Sequence, residues 1–323
     1  MQASTILSWT IGLLLVLLLA GAAPATAAPP PAADVPNPGA DLWRAVRQRD
    51  DTLWPARTQA PRPDDAVLID PAGEHFRQFR RERFIRYAGW GLAGTLGLIF
   101  LYFVLHGPIR HEGGDSGERI LRFRRLDRIL HWVLAVTFLV LGLTGLLLLF
   151  GRLLLIPWLG NAAFGPVAEI GKWAHNLTGP LFIVALLLFF LRFVGRNLPA
   201  LADLKWLARL GGLLGKTHPP AGFFNAGEKI WFWLLVLGGV AVGISGVVLD
   251  FPALVDAARQ PLRLALVVHG IAAVLLLAAS LGHMYLGSIG MKGALQSMIS
   301  GYVDANWARA HHLLWYEKLR GRR

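Results

Sequence analysis

Residues 264–291 have the sequence LALVVHGIAAVLLLAASLGHMYLGSIGM, an uncharged apolar run that is long enough to cross a bilayer. The run contains two histidines, His269 and His283, and an ionisable side chain inside a membrane span is costly and usually functional. With a rise of about 1.5 Å and a turn of about 100° per residue, the two rings lie roughly 21 Å apart and within ~40° of the same helix face. This spacing indicates two metal centres stacked across a membrane.

Four further uncharged runs reach the roughly 17–25 residues that a spanning helix needs. They are Tyr87–Leu105, Trp132–Phe150, Ala174–Leu191 and Ile230–Leu249. The chain is 54% hydrophobic and 16% charged, so five such runs predict an all-α integral membrane protein. The expected architecture is a four-helix transmembrane bundle with one extra N-terminal transmembrane helix.

Composition divides the chain into five segments. Residues 1–27 contain a short apolar stretch that ends in a small-x-small pattern, which predicts a cleaved signal peptide, with a retained anchor as the alternative. Residues 28–85 are rich in Pro and Ala and predict an extended extracytoplasmic segment. We expect the extra helix at 86–106, a cytoplasmic loop at 107–127, and the four-helix domain with a basic cytoplasmic tail at 128–323.

Lysine and arginine are distributed unequally between the two sides of the predicted bundle. The segments 106–130, 192–229 and 292–323 carry six each. The short loops on the other side hold Arg152, Lys172, Arg259 and Arg263. The positive-inside rule then predicts an external N-terminus and a cytoplasmic C-terminus. Five arginines within 77–86 oppose this rule, although an exported tail behind a signal peptide tolerates such charge.

Two other histidines lie at the starts of spans. His131 begins the second span, which runs outward in this topology, so its ring is expected near the inner face. His175 begins the third span, which runs inward, so its ring is expected near the outer face. Depth therefore pairs His175 with His269 and His131 with His283.

Two histidine pairs at two depths predict two b haems, each with two imidazole ligands to its iron. His175 and His269 are the expected ligands of the outer haem, and His131 and His283 those of the inner haem. The chain has no cysteine, which excludes a disulfide, an iron–sulfur cluster held by this chain and a c-type haem. Two ligands per site disfavour Zn²⁺. A proton or metal transporter with intramembrane histidines and no haem is an alternative.

Glycines in the spans are expected where a porphyrin face approaches the backbone, although glycine also serves ordinary helix packing in membranes. They are Gly145, Gly179, Gly246, Gly270 and Gly282. Five further histidines are interpreted as residues of loops, span ends or the basic tail. They are His106, His111, His218, His311 and His312.

Several motifs resemble the cytochrome b, or gamma, subunit of membrane-bound formate dehydrogenase. They are RRLDRILHW at 124–132, Lys172–Gly179, FNAGEK at 224–229, Val268–Gly270, GHMY at 282–285 and WARAHHLLWY at 307–316. The resemblance covers residues 120–318, and the segment before it has no counterpart in the short family form. It implies a bundle that carries two b haems.

The resemblance also implies a role and partners. The chain would be an electron-transfer and quinone-reducing subunit of a respiratory complex in the bacterial inner membrane, not the formate-oxidising subunit. Electrons would come from an iron–sulfur beta subunit on the outer face, which a molybdopterin catalytic alpha subunit supplies, and would pass through two b haems to menaquinone or ubiquinone with proton uptake from the cytoplasm. The nearest alternative is the same architecture in a hydrogenase or a sulfur-compound oxidoreductase.

By the same resemblance, Asn225, Gly227 and His283 are the expected contacts of the quinone. Asn225 as an N-cap of the next helix is the alternative, and both roles are compatible. Glu228 stands where the family form is expected to have Gln and is a candidate proton donor to the reduced quinone. Basic residues near the haem depths are candidates for pairing with haem propionates, with interfacial anchoring as the alternative. They are Arg128, Lys172 and Arg263.

Overall fold

The structure is a computed structural model that describes residues 70–109, 114–212, 219–256 and 258–321. Five helical segments in these ranges are long and apolar enough to span a membrane. They are Pro71–His106, Arg125–Leu154, Ile156–Arg196, Ala226–Asp250 and Arg259–Gly290. The predicted all-helical membrane protein is confirmed. The signal peptide expected at 1–27 lies outside the described residues.

Helices and short strands follow one another along the chain. In chain order they are α1 (Pro71–Gln78), a π-helical turn (Phe79–Phe84), α2 (Ile85–His106), β1 (Arg119–Leu121), α3 (Arg125–Leu154), α4 (Ile156–Phe193), α5 (Leu201–Ala208), α6 (Ala226–Asp250), α7 (Arg259–Tyr285), a second π-helical turn (Leu286–Gly290), α8 (Ala294–Ile299), β2 (Tyr302–Asp304), α9 (Ala305–His311) and α10 (Leu313–Arg320). Within α4, Gly160 has a φ of 72°, a conformation that glycine adopts without strain, so the membrane-crossing part of α4 follows this break.

The four helices α3, α4, α6 and α7 form the bundle. Only Leu155 separates α3 from α4, so these two helices are antiparallel neighbours. Buried apolar side chains fill the space between α3, α4 and α6; they are Phe123, Leu134, Phe182, Ala185, Leu186, Phe193, Phe232, Leu235 and Val236. Large apolar side chains on the outside, such as Leu98 and Leu237, stay exposed, as expected for a surface that contacts lipid.

The extra N-terminal helix begins earlier than expected. Helical structure starts at Pro71, whereas the sequence predicted an extended segment up to residue 85. The cause is local: the Asp70 carboxylate accepts a hydrogen bond from the Gly73 N–H at 2.9 Å, and proline suits the first helical position. Glu74 and Arg77 add an ion pair one turn along. The part of the predicted extended segment before residue 70 lies outside the described residues.

The helical segment Pro71–His106, which ends in α2, runs parallel to α7. At one end Asp70 pairs with Arg263, near the start of α7. At the other end the ring of Tyr102 lies 6.3 Å from that of Tyr285, near the end of α7. Because both helices progress in the same direction, α2 and α7 cross the membrane with the same orientation, as the predicted topology requires.

One end of the bundle carries a small two-stranded sheet, and we call it the sheet end. There β1 pairs with β2 in antiparallel register, with Arg119 opposite Asp304. The segment 107–127, which was expected as a loop, therefore contributes a strand. The buried carboxylate of Asp127 pairs with Arg192 at 2.7 Å and ties the start of α3 to the end of α4. The opposite end carries the turn at Leu155 and the start of α7.

Gly301 joins the sheet end to the start of α3. Its carbonyl accepts hydrogen bonds from the backbone N–H groups of Arg122 and Phe123, at 2.8 and 3.1 Å. Its φ is +91°, and a Cβ at this position would lie 2.5 Å from the Phe123 carbonyl oxygen. Both observations exclude a side chain here, because the clashing group is backbone and has no rotamer to change.

We predict that Gly301→Ala lowers the thermal midpoint of the purified protein and exposes the sheet end to trypsin. The left-handed φ costs about 1–2 kcal/mol and the clash roughly 1–3 kcal/mol more. Gly117→Ala is the matched control, since Gly117 also has a positive φ, +81°, but an added Cβ meets nothing within 4 Å. Equal midpoints for the two variants would contradict the packing role of Gly301.

Candidate functional site

The structure brings His175 and His269 together toward the opposite end of the bundle. His175 lies on α4 and His269 on α7, and their ring centroids are 6.0 Å apart with an interplanar angle of 67°. The sequence predicted this pairing from depth alone.

Hydrogen bonds fix which nitrogen of each ring carries the proton. The Thr144 hydroxyl donates to the Val140 carbonyl at 2.7 Å, so its oxygen is left to accept from His175 Nδ1 at 2.9 Å. His269 Nδ1 lies 3.0 Å from the Val242 carbonyl oxygen, which can only accept. Both rings therefore carry the proton on Nδ1 and keep a lone pair on Nε2, the form that binds a metal ion.

Two glycines provide the space for these rings. A Cβ on Gly145 would lie 3.4 Å from His175 Cε1, and a Cβ on Gly246 would lie 3.4 Å from His269 Cε1. Each glycine directly follows the hydroxyl residue that lies beside the same ring, Thr144 or Ser245. A side chain at Gly145 would press on the ring of His175, and a side chain at Gly246 would press on the ring of His269.

The other three glycines that the sequence singled out differ among themselves. Added Cβ atoms on Gly179 and Gly282 would meet nothing within 4 Å, which leaves open space beside the backbone there. A Cβ on Gly270 would instead lie 2.8 Å from the ring of Phe84. The absence of a side chain at Gly270 thus makes room for Phe84 of the extra N-terminal helix and not for a ligand.

His131 and His283 form the second pair, toward the sheet end. Their ring centroids are 6.3 Å apart with an interplanar angle of 56°. Trp231 of α6 stacks on His283, with centroids 5.0 Å apart and planes 15° apart. Trp132 contacts His131 edge-on at 5.3 Å. Within the described part of the chain, the buried Nδ1 of His131 has no hydrogen-bond partner.

The separation of the rings within each pair fits two imidazoles that would hold one haem iron between them. With metal–nitrogen bonds of about 2.0 Å and a ring nitrogen about 1.1 Å from its centroid, two imidazoles on opposite sides of one metal ion have centroids about 6.2 Å apart. The observed separations are 6.0 and 6.3 Å. The described residues contain no group of three or more His, Cys, Asp or Glu side chains placed to hold a metal ion. Two imidazoles suffice for haem, because the porphyrin supplies the other four ligands.

The segment predicted to contact quinone lies at the sheet end and caps α6. Asn225 Oδ1 accepts the Glu228 N–H at 2.9 Å, and Glu228 Oε2 accepts the Asn225 N–H at 2.8 Å. Asn225 is therefore the N-cap of α6, which is the alternative role that the sequence suggested. Of its side chain, only the amide oxygen takes part in this capping box. The Gly227 N–H lies in the first helical turn, where no intrahelical acceptor exists. One turn further along α6, Trp231 stacks on His283 and links the segment to the histidine pair.

Glu228 has both carboxylate oxygens engaged. Oε2 belongs to the capping box, and Oε1 accepts a charge-assisted hydrogen bond from Arg122 Nη2 at 3.1 Å. Both oxygens thus act as hydrogen-bond acceptors that hold the loop. The role of Glu228 as a proton donor stays a prediction.

Sequence reasoning missed two buried polar residues at the sheet end. Arg122 is 5% exposed and His312 is 1% exposed, although the first lies in a predicted loop and the second in a predicted basic tail. Phe123 directly follows Arg122 and Trp315 lies three residues after His312, but isolated aromatic neighbours of this kind do not predict the burial of a polar side chain. His312 Nδ1 donates to the Gly222 carbonyl at 2.9 Å.

His312 is neutral at neutral pH. Burial first, and then the positive charge of Arg122, holds the pKa of His312 well below its usual range, while the Gly222 carbonyl opposes the shift. His312 Nε2 lies 4.0 Å from Glu228 Oε2. Because the imidazole is uncharged and the distance is long, this contact is not an ion pair.

The basic residues considered as haem propionate partners already contact protein groups in two of three cases. Arg263 pairs with Asp70, and Arg128 donates to the Ile299 carbonyl. Lys172 is exposed on α4, three residues before His175. Propionate pairing at these positions stays a prediction.

Sequence comparisons match the region that carries the four histidines. The family of prokaryotic cytochrome b561 matches residues 122–301. The cytochrome b556(Fdn) subunit of nitrate-inducible formate dehydrogenase from Escherichia coli K12 is 33% identical over 209 residues, which are 64% of this chain and 94% of that protein. The formate dehydrogenase cytochrome b556 subunit of Haemophilus influenzae is 30% identical over 208 residues, 63% of this chain and 85% of that protein. The extra N-terminal helix precedes the family match.

We predict that acid weakens the sheet end through His312. The folded pKa is depressed, so below the ordinary pKa of about 6.5 the unfolded chain binds more protons, and the free energy of unfolding falls as pH falls. The charged or titratable groups around His312 are Arg122, Glu228 and His311. Thermal midpoints measured between pH 8 and pH 5 should fall more for the natural protein than for His312→Asn, whose amide keeps a donor for Gly222 without titrating. Identical pH profiles would contradict this assignment.

Proposed function

Since this chain belongs to the prokaryotic cytochrome b561 family and is related to formate dehydrogenase cytochrome b556 subunits, we propose that it is the quinone-reducing cytochrome b subunit of a formate dehydrogenase. The observation that carries the proposal is the pair of histidine contacts that α7 makes at two depths. Each contact has a separation at which two imidazoles would hold one haem iron. The chain itself carries no centre for formate oxidation in this proposal.

The proposed axial ligands are His175 and His269 for one b haem and His131 and His283 for the other. When bound, the two haems supply one-electron redox chemistry at two depths of the membrane. The protein's contribution is to orient the rings. The Val242 carbonyl and the Thr144 hydroxyl hold the Nδ1 protons of one pair, so that both Nε2 lone pairs remain for iron.

The proposed quinone site lies at the sheet end, beside the His131–His283 pair. Asn225 Nδ2 and the Gly227 N–H are the donors offered to a quinone carbonyl, because neither belongs to the capping box. His283 borders the same region through its stacking on Trp231. The quinone is menaquinone or ubiquinone, and the protons for its reduction come from the aqueous phase at this end.

The proposed orientation places the sheet end in the cytoplasm of a bacterium, with the chain in the inner membrane. The inner segments carry most of the lysine and arginine, which supports this orientation. The iron–sulfur beta subunit then docks at the opposite end, beside His175 and His269, and the molybdopterin alpha subunit binds through it. Electrons enter at one face and protons at the other, so turnover separates charge across the membrane.

We predict that substitution of a ligand removes one haem of the two. His175→Ala or His269→Ala should remove the haem at the end opposite the sheet end. His131→Ala or His283→Ala should remove the haem near the sheet end. In each variant the other histidine pair should keep its haem. The measurement is haem per polypeptide together with a redox titration of the remaining band. His106→Ala is the control, because His106 is exposed at the end of α2. A folded natural protein without haem bands would overturn the proposal and favour a histidine-based transporter.

We predict that the purified complex reduces quinone with formate, and that Asn225 variants slow this step about tenfold, the factor for loss of a hydrogen bond worth roughly 1.4 kcal/mol. Asn225→Asp keeps an N-cap acceptor but has no side-chain donor in its carboxylate form, whereas Asn225→Ala lacks both acceptor and donor. Both should slow quinone reduction while haem content stays unchanged. Full activity of Asn225→Asp beside a slow Asn225→Ala would return Asn225 to a capping role only. No reduction of quinone by the natural complex would refute the proposed function.

A further inference from the structure

A guanidinium group is enclosed by aromatic rings at the sheet end. The side chain of Arg122 is 2% exposed, and its Cζ lies between 5.0 and 5.9 Å from the centroids of four rings. These rings belong to Phe123, Phe223, Trp307 and Trp315. They come from three separate parts of the chain: the start of α3, the loop before α6, and the helices α9 and α10. Arg122 is thus the point where these three segments meet.

The polar contacts of Arg122 lead to the proposed quinone segment. Its Nη2 donates to the Phe223 carbonyl at 2.9 Å and to Glu228 Oε1 at 3.1 Å. These two acceptors lie on either side of Asn225 in the sequence. One planar guanidinium therefore holds both ends of the short segment 223–228.

The second carboxylate oxygen of Glu228 connects Arg122 to Asn225. Because Oε1 is bound to Arg122, the Glu228 side chain has a fixed rotamer, and Oε2 is placed to accept the Asn225 N–H at 2.8 Å. The return bond from the Glu228 N–H fixes Asn225 Oδ1. The direction of the remaining donor, Asn225 Nδ2, then depends on a hydrogen-bonded chain that starts at Arg122.

Stability alone gives a weak reason for this arrangement. Removing a buried arginine from water is costly, and apolar replacements of buried ion pairs are often neutral or stabilising. The pair of a buried Arg122 with a Glu228 side chain that is 37% exposed is instead well suited to hold one geometry among several. Here it holds the geometry of segment 223–228, which offers donors to a quinone carbonyl.

We propose that Arg122 is the positioning residue of the quinone site, which it orders through Phe223 and Glu228 without contacting the quinone itself. This inference rests on the proposed function. It also assigns to the site the four aromatic rings around Arg122 and the C-terminal helices α9 and α10. These elements enclose Arg122 and hold it in place.

The test uses the purified complex with two short-chain probes, decyl-ubiquinone and 2-methyl-1,4-naphthoquinone. Apparent KM and kcat are measured with formate as the reductant, and the Kd of each probe is measured by quenching of tryptophan fluorescence. Haem content and formate oxidation with a soluble dye report whether the complex is intact. The variants are Arg122→Gln and Arg122→Lys, with Arg119→Gln as the matched control, since Arg119 is an exposed arginine on β1.

Arg122→Gln should raise KM and Kd about tenfold, which corresponds to loss of one charge-assisted hydrogen bond, while haem content and dye reduction stay unchanged. Arg122→Lys should give an intermediate shift, because lysine keeps the charge but lacks the planar guanidinium that the four aromatic rings enclose. Arg119→Gln should match the natural complex. A natural KM and Kd in Arg122→Gln would overturn the inference.

A double-mutant cycle with Glu228→Gln tests the route of the effect. If Arg122 acts through Glu228, the shift caused by Arg122→Gln becomes smaller in the Glu228→Gln background. A shift of KM and Kd that is as large in the Glu228→Gln background as in the natural complex would show that Arg122 does not act through Glu228. If Arg122→Gln does not assemble, Arg122→Lys and Glu228→Gln decide, and natural KM values in both would overturn the inference. A natural complex that reduces neither probe refutes the proposed function, whereas active complexes with unshifted Arg122 variants refute only this inference.

Discussion

An α-helix turns through about 100° per residue, so positions fourteen residues apart return to nearly the same face. On α7 this periodicity directs His269 and His283 to the same side of the helix at two depths. The neighbouring helices must then supply a partner ring at each depth. The antiparallel helices α3 and α4 do so from opposite ends, with His131 near the start of α3 and His175 in α4. The order of the helices around α7 follows from this requirement.

Serine and threonine hydroxyls inside the bundle are satisfied by the helices themselves, as a membrane interior requires. The hydroxyls of Thr144 and Ser245 donate to carbonyls in the preceding turn, and their oxygens then face the histidine rings. Charged groups that are buried lie at the sheet end instead, where Asp127 pairs with Arg192 and Arg122 with Glu228. Apolar contacts thus dominate the centre of the bundle, and ion pairs fix the end that carries the proposed quinone segment.

Much of this arrangement was predictable because it depends on periodicity. Length and hydropathy identified the spans, and alternating direction along the chain matched His175 with His269 and His131 with His283. The helical start at Pro71 was missed, because the Pro and Ala content of the whole segment concealed the local cap at Asp70. The burial of Arg122 and His312 was also missed. It results from contacts between residues far apart in the chain, which no local pattern reports, and the strands that align them are only three residues long.

Both histidine pairs share α7, and α7 is the last of the five candidate spans in the described part of the chain. During synthesis, the preceding four spans enter the membrane with only one ring of each pair. The His175–His269 pair is complete once the ribosome has produced residue 269, and the His131–His283 pair only after residue 283. A chain that stops before residue 269 carries neither pair, whereas one that stops between these two positions carries only the first. Under the proposed ligand assignment, retention of both haems therefore reports that translation passed residue 283.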